Sequence, residues 1–251
     1  MIGPYPDILF HFTTSKGLRG VLTEKRFRLS YSRERIENLG REKRFAVPIV
    51  SFCDLRLSEL PFHMRKYGKF GIGLSKAWAQ KSGLNPVAYA NQGSDFTSSL
   101  MRGLEGNYQE LDVIQELEQL NRAGRNYMRL LNTLRYVKNY EGTLTRRGKS
   151  RHYRFADERE WRYVLPHPSQ GVLPFIPHEQ IADDERKRFF NEQLLRYQLQ
   201  YSPTDVKYII VPAESNIRPI LESIKKLDYD LDSRVHLASR IVTARQVESD
   251  M

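Results

Sequence analysis

The chain has 251 residues, 40% hydrophobic, 28% charged and 11% aromatic, a composition that carries a packed core and excludes a disordered polypeptide. Forty lysines and arginines against thirty acids leave a formal charge of +10, which suits a polyanionic partner (DNA, RNA or an acidic protein) and equally a solvated basic surface. The single cysteine, Cys53, excludes an intrachain disulfide, and no Cys/His spacing fits zinc.

Ile8–Thr13 alternates apolar and polar residues and predicts a strand. Ser15 is placed to cap a short helix over Gly17–Lys25, with Leu18, Val21 and Leu22 on one face. Phe27–Ser32 predicts a second strand, and Arg33–Phe45, charged and without a clean period, a loop or an exposed helix. Val47–Asp54 is β-rich, Leu57–Tyr67 has helical spacing, and Phe70–Leu74 is a strand with two glycines, where something approaches the backbone or the strand bends. Ser75 caps a helix that ends near Gly83, and Asn85–Tyr89 is another short strand.

Asp95–Asn139 holds no proline and repeats apolar residues at helical spacing: Leu111, Ile114, Leu117 and Leu120, then Leu130, Leu131, Leu134 and Val137. This predicts a helical insertion at about residues 95–140, a hairpin broken near Gly124. Thr143–His152 is polar and basic and predicts a loop; β-structure returns at Tyr153–Leu165. After a Pro- and Gly-bearing stretch, Pro166–Pro177, come an amphipathic helix over Asp183–Gln200 and a buried strand, Val206–Val211. A helix over Ser215–Leu227, despite Pro219, and a strand near Val235–Val242 close the order. The sequence of β-rich, helical, then β-rich segments predicts one α+β domain over residues 1–251, with a mixed central sheet. Apolar runs such as Tyr208–Pro212 are far too short to span a bilayer, which takes about 20 residues. Met1–Ile8 lacks the basic and apolar regions of a signal peptide. The expected location is cytoplasmic, with no membrane partner.

Several segments could carry chemistry. His11 and Thr13 share a strand face and could address one ligand, such as the vicinal hydroxyls of a ribose; a strand-end histidine satisfied by a neighbour fits as well. Ser30 and Ser32 share a face, with Tyr31 on the other, able to stack on a planar ring or to sit in an ordinary strand. Ser51 and Cys53 share a face, and Cys53 reads as a small buried thiol unless a histidine or helix N-terminus lowers its pKa. His63 and Tyr67, four apart on a helix, line a site or cover the core. The sharpest signal is Glu158-Arg-Glu-Trp-Arg162. It predicts Glu158, Glu160 and Arg162 on one strand face, either as carboxylates that hold sugar hydroxyls beside an oxocarbenium-like centre or as a salt-bridged ladder. Gly71-Ile-Gly73 is too short for a dinucleotide fingerprint.

Taken together, His11–Thr13, Ser30–Ser32 with Glu34, Val50–Leu55, Leu57–Ser58, His63, Tyr67–Gly68, Phe70–Lys76, Trp78–Ala79, Asn85–Val87, Glu158–Val164 and Tyr208–Pro212 resemble the AbiGi abortive-infection family. That resemblance implies a role in phage defence, and the family is usually labelled the antitoxin of a two-gene system beside a nucleotidyltransferase-like partner. More distantly, the His-x-Thr strand, the following helix and the Ser-Tyr-Ser strand are similar to the start of ADP-ribosyltransferase folds of the DarT type. This second resemblance implies an ADP-ribosyltransferase-like fold, NAD as cofactor without a metal, and a nucleic-acid acceptor. Carried over, Glu160 and His11 would be catalytic, His11 also contacting the ribose. Tyr31 or Tyr67 would stack on nicotinamide, and Thr13, Ser51 and Glu158 would complete the cofactor-binding set. The alternative is a non-enzymatic antitoxin or regulator that grips nucleic acid or a partner toxin.

Overall fold

The computed structural model describes residues 6–146 and 148–249, so most of the Met1–Ile8 segment lies outside the described residues. Strand β1 (Ile8–Thr13) leads into helix α1 (Ser15–Glu24). The helix cap is Thr14, one residue before the expected Ser15; its hydroxyl accepts from the Gly17 N–H at 3.1 Å. Leu18, Val21 and Leu22 are the buried face, as their spacing requires. The expected strand at 27–32 is two strands, β2 (Arg26–Arg28) and β3 (Ser30–Asn38).

The segment 33–45, expected as loop or helix, is a long β-hairpin made by β3 and β4 (Arg41–Cys53) in register from Ser30↔Ile49 to Asn38↔Arg41. Its two turn residues, Leu39 and Gly40, have φ of 45° and 83°. That left-handed pair turns a two-residue hairpin with the right twist. Its charges hid the hairpin from a periodicity argument, because Arg35, Glu37, Glu42 and Arg44 pair across it and with one another.

A short 3-10 turn (Leu57–Glu59), α2 (Leu60–Tyr67), β5 (Phe70–Ser75) and α3 (Lys76–Lys81) follow, with Ser75 capping α3 through the Trp78 N–H. The β5 glycines lie beneath aromatic rings: a Cβ on Gly73 would stand 2.7 Å from the Phe10 ring, and one on Gly71 would stand 2.9 Å from Phe12. Short strands β6 (Asn85–Pro86) and β7 (Ala88–Ala90) precede the insertion, which is two helices, α4 (Asp95–Val113) and α5 (Leu117–Leu134). The break falls at residues 114–116, where Ile114 and Glu116 are extended, and Gly124 sits inside α5.

After β8 (Val137–Asn139), the expected loop at 143–152 is a second hairpin, β9 (Glu141–Arg146) with β10 (Lys149–Arg154); Arg147 at its turn lies outside the described residues. Then come β11 (Glu160–Val164), β12 (Ile176–Pro177), α6 (Asp184–Glu192), β13 (Gln198–Gln200) and β14 (Val206–Val211). The chain closes with α7 (Ile217–Lys225), α8 (Leu231–Ala238), β15 (Ile241–Thr243) and α9 (Ala244–Ser249). The strand expected near 235–242 is found at the end of that stretch, as β15, while residues 235–238 belong to α8; the helix expected over 183–200 stops at Glu192.

The central sheet is mixed and runs β15-β14-β5-β1-β4-β11-β6, with β3 and β12 also on β4. One face is covered by α1, α3 and α7 over Leu9, Phe52, Ile72, Leu74 and Ile209; α4 and α5 cover Ile36, Val47 and Ile49 through Met101, Leu104 and Leu134. The architecture is thus a single α+β body with one mixed sheet and a helical hairpin inserted between sheet strands. No helix is long and apolar enough to cross a membrane among the described residues.

Candidate functional site

Strand β4 is long enough to serve two neighbours on one edge. Cys53 pairs with both Phe10 of β1 and Glu160 of β11, and Ile49 pairs with both Ser30 of β3 and Val164 of β11. Because β11 is continuous along one edge, β1 and β3 must share the other, and they diverge between Cys53 and Ile49. A cleft of about 660 Å³ opens at this split. At the gap the Ser51 carbonyl accepts a hydrogen bond from His11 Nδ1 at 2.9 Å. A carbonyl only accepts, so Nδ1 carries the proton in this contact and Nε2 is left as an acceptor. Burial lowers the His11 pKa below its ordinary value and favours this neutral form.

His11, Ser51, Tyr67, Glu158 and Glu160 all line the cleft, as do Ser30, Ser32, Glu34, His63 and Lys138. His11 reaches it from the face opposite Glu160, edge-on to Phe27 and tilted against Phe52. Ser51 joins the two: its carbonyl holds His11, and its hydroxyl donates to Glu160 Oε1 at 2.6 Å. The His63 ring stacks on Tyr67 with centroids 4.4 Å apart.

Two expected cofactor contacts lie elsewhere. Tyr31 is fully buried on the other face, its hydroxyl donating to the Leu173 carbonyl at 2.6 Å and its ring edge-on to Phe190, so it cannot stack on a ligand in the cleft. Thr13 does not line the cleft but an adjoining hollow beside α1, with Thr14, Lys16 and Gly17, which shares His11 and Arg28 with the cleft. A third expectation is corrected in its geometry: Glu158 is in a 3-10 turn (Phe155–Glu158), not on the strand, and Arg159 after it is left-handed at φ 43°. The turn nevertheless brings both carboxylates to one cation.

That cation, Lys138, went unnoticed in the sequence because it reads as the tail of the helical insertion. In the structure it sits on the three-residue strand β8, 2.6 Å from Glu160 Oε2 and 3.0 Å from Glu158 Oε2. Arg162, fully buried, donates to Glu160 Oε1 through Nε at 2.6 Å and to Glu160 Oε2 through Nη2 at 3.3 Å; it also pairs with Glu34 Oε1 at 3.0 Å. Tyr67 donates to Glu158 Oε1, and Lys66 lies 3.8 Å from that oxygen. Three carboxylates (Glu34, Glu158, Glu160) thus meet three cations (Lys66, Lys138, Arg162), so the buried cluster is neutral as a whole. Burial pushes Glu160 up, but Arg162 and Lys138 outweigh it and hold the carboxyl well below the carboxylate range. At Glu34 burial outweighs the same cations and the pKa is raised. Cys53 is buried, and burial raises its thiol well above its usual value, which disfavours the thiolate a nucleophile needs. Among the described residues no cluster of three or more His, Cys, Asp or Glu could hold a metal ion.

Fold and cleft define an α+β protein whose mixed sheet is split around a buried, charge-balanced network. Residues 18–212 match the family model described as "Putative abortive phage resistance protein AbiGi, antitoxin", so the chain belongs to the AbiGi family. It is 26% identical over 200 residues to an "Abortive phage resistance protein AbiGi" of Lactococcus lactis subsp. cremoris, an alignment that covers 73% of this chain and 79% of the relative. No solved structure matches the chain.

Proposed function

We propose that this phage-defence protein uses the cleft at the sheet split to bind an NAD-class dinucleotide and to break or transfer at its ribose, as an ADP-ribosyltransferase or NAD glycohydrolase. The observation that carries this reading is the convergence of His11, Ser51 and the Glu158/Glu160 pair, from distant stretches of chain, on one cleft. His11 Nε2 would accept from a ribose hydroxyl and fix its position. Glu160, held ionised and oriented by Ser51, Arg162 and Lys138, would place fixed negative charge beside the positive charge that develops when the glycosidic bond breaks. Tyr67, already stacked on His63, presents an aromatic ring in the cleft lining, and the net charge of +10 suits a nucleic-acid acceptor.

A second reading, a non-enzymatic antitoxin that binds a partner toxin, is favoured by a specific feature. Each Glu160 oxygen already holds two donors inside the protein, as a purely structural ladder would. The family model's description as an antitoxin points the same way. Induced expression of the chain alone in a bacterial host separates the two. The enzymatic reading expects growth arrest with falling cellular NAD, abolished by Glu160→Gln and, should that variant fold poorly, by Glu158→Gln. Normal growth with steady NAD, together with rescue of cells from the neighbouring gene's toxin, would overturn it in favour of the antitoxin.

A further inference from the structure

The geometry points to Glu34, not Glu160, as the carboxylate that accepts a hydrogen bond from a ligand hydroxyl, the ligand being a ribose-bearing nucleotide. This rests on the cleft's being a nucleotide site, and it changes which acid touches the sugar.

The distribution of donors over the two oxygens separates the three acids. Glu160 holds two donors on each oxygen: Oε1 takes Ser51 and Arg162 Nε, and Oε2 takes Lys138 and Arg162 Nη2. Glu158 is held at both ends, Oε1 by Tyr67 and Oε2 by Lys138. Both partners of Glu34 fall on one oxygen: Ser32 Oγ at 3.5 Å and Arg162 Nη2 at 3.0 Å both address Oε1. Among the described residues, Oε2 has no partner, although the side chain is only 9% exposed and lines the cleft. An oxygen that takes no donor from the protein is open to one from a ligand in the cleft.

The surroundings say what that donor is. The paired charges of the cluster cancel, so a cationic ligand would leave it unbalanced next to Arg162, whereas a neutral hydroxyl donor would not. Along β3, Ser30, Ser32 and Glu34 alternate onto one face and all line the cleft. Two hydroxyls and an open carboxylate oxygen in a row match the paired donors and acceptors of a vicinal diol. Burial raises the Glu34 carboxyl against the pull of Arg162, so a donor arriving at Oε2 stabilises its ionised form.

The test is calorimetric titration of the purified protein with ADP-ribose, beside NAD turnover and thermal melting. Glu34→Gln, and Glu34→Asp in case the first melts early, should weaken ADP-ribose about tenfold or more while both remain folded. Affinity within twofold of wild type in a folded Glu34 variant, or no binding of ADP-ribose to wild type, would overturn the inference. If wild type binds ADP-ribose, the Glu34 variants lose it and NAD is not consumed, the inference stands and the catalytic reading falls. If NAD is consumed equally by wild type and Glu34→Gln, the catalytic reading stands and the role of Glu34 falls.

Discussion

Replacing Arg162 with methionine removes the one fully buried guanidinium that two of the three acids share. Arg162 makes two contacts to Glu160, one to Glu34 and a hydrogen bond from Nη1 to the Arg135 carbonyl at 3.1 Å. Methionine fills most of the volume, so the loss is mainly electrostatic: Glu160 keeps Lys138 and Ser51, Glu34 keeps only Ser32. Breaking a buried pair by deleting one partner costs about 3–5 kcal/mol. For a domain of this size that is a fall in Tm of about 6–20 °C. The sign with pH gives a sharper check. In the wild type, Glu160 is depressed below the ordinary range, so its contribution is present above the unfolded value and is lost as pH falls through the folded one. In Arg162→Met the stranded acids titrate above their unfolded value, so their penalty shrinks as the solution is acidified from pH 7 towards 4.5. The deficit, measured by urea denaturation at both pH values, should therefore narrow. Adding Glu160→Gln to Arg162→Met should recover about 0.5–3 kcal/mol of it. A single variant within 1 kcal/mol of wild type at pH 7, or a deficit that widens on acidification, would refute the idea that this network is a charge-balanced structural unit.

Three further outcomes follow from named contacts. Gly73→Ala should destabilise by about 1–3 kcal/mol, since its methyl meets the Phe10 ring at 2.7 Å and Ile8 at 3.1 Å; Gly106→Ala, with nothing within 4 Å inside α4, should stabilise by about 0.5–1 kcal/mol, both read by thermal melting. Tyr31→Phe deletes the hydrogen bond to Leu173 and should cost about 0.5–1.5 kcal/mol while leaving ADP-ribose affinity untouched; a loss of affinity would return Tyr31 to the site. His11 is held neutral by burial, so its depressed pKa contributes stability that is present above pH 6.5 and lost as pH falls through the folded value. Wild type should accordingly lose more stability than His11→Gln between pH 8 and pH 5, and equal losses would contradict that assignment.

The residues reveal elements where burial imposes a period, and hide them where charge does. Leu18, Val21 and Leu22 mark α1, and Val206–Val211 is apolar enough to mark a core strand. The β3–β4 hairpin was illegible because both of its faces near the turn carry charges that pair only once the strands are in register. Strand β10 is exposed at all of its positions but Tyr153, and the hairpin's polar, basic sequence gives no apolar period to betray it. At the site, the motif around Glu160 was legible because two carboxylates and two arginines in five residues are unusual. What they do depends on partners 22 and 109 positions away, Lys138 and Ser51, which no local pattern links to them. Tyr31 shows the converse: alternation put it correctly on the face opposite Ser30 and Ser32, but only packing reveals that this face is the core.

The most direct measurement of the central claim is nicotinamide release by the purified protein incubated with NAD, with and without single- and double-stranded nucleic acid. The account predicts steady release by the wild type and little or none by Glu160→Gln or Glu158→Gln that melts as a folded protein. Absence of both NAD binding and nicotinamide release under every condition would contradict it and leave the cleft to an antitoxin's structural core.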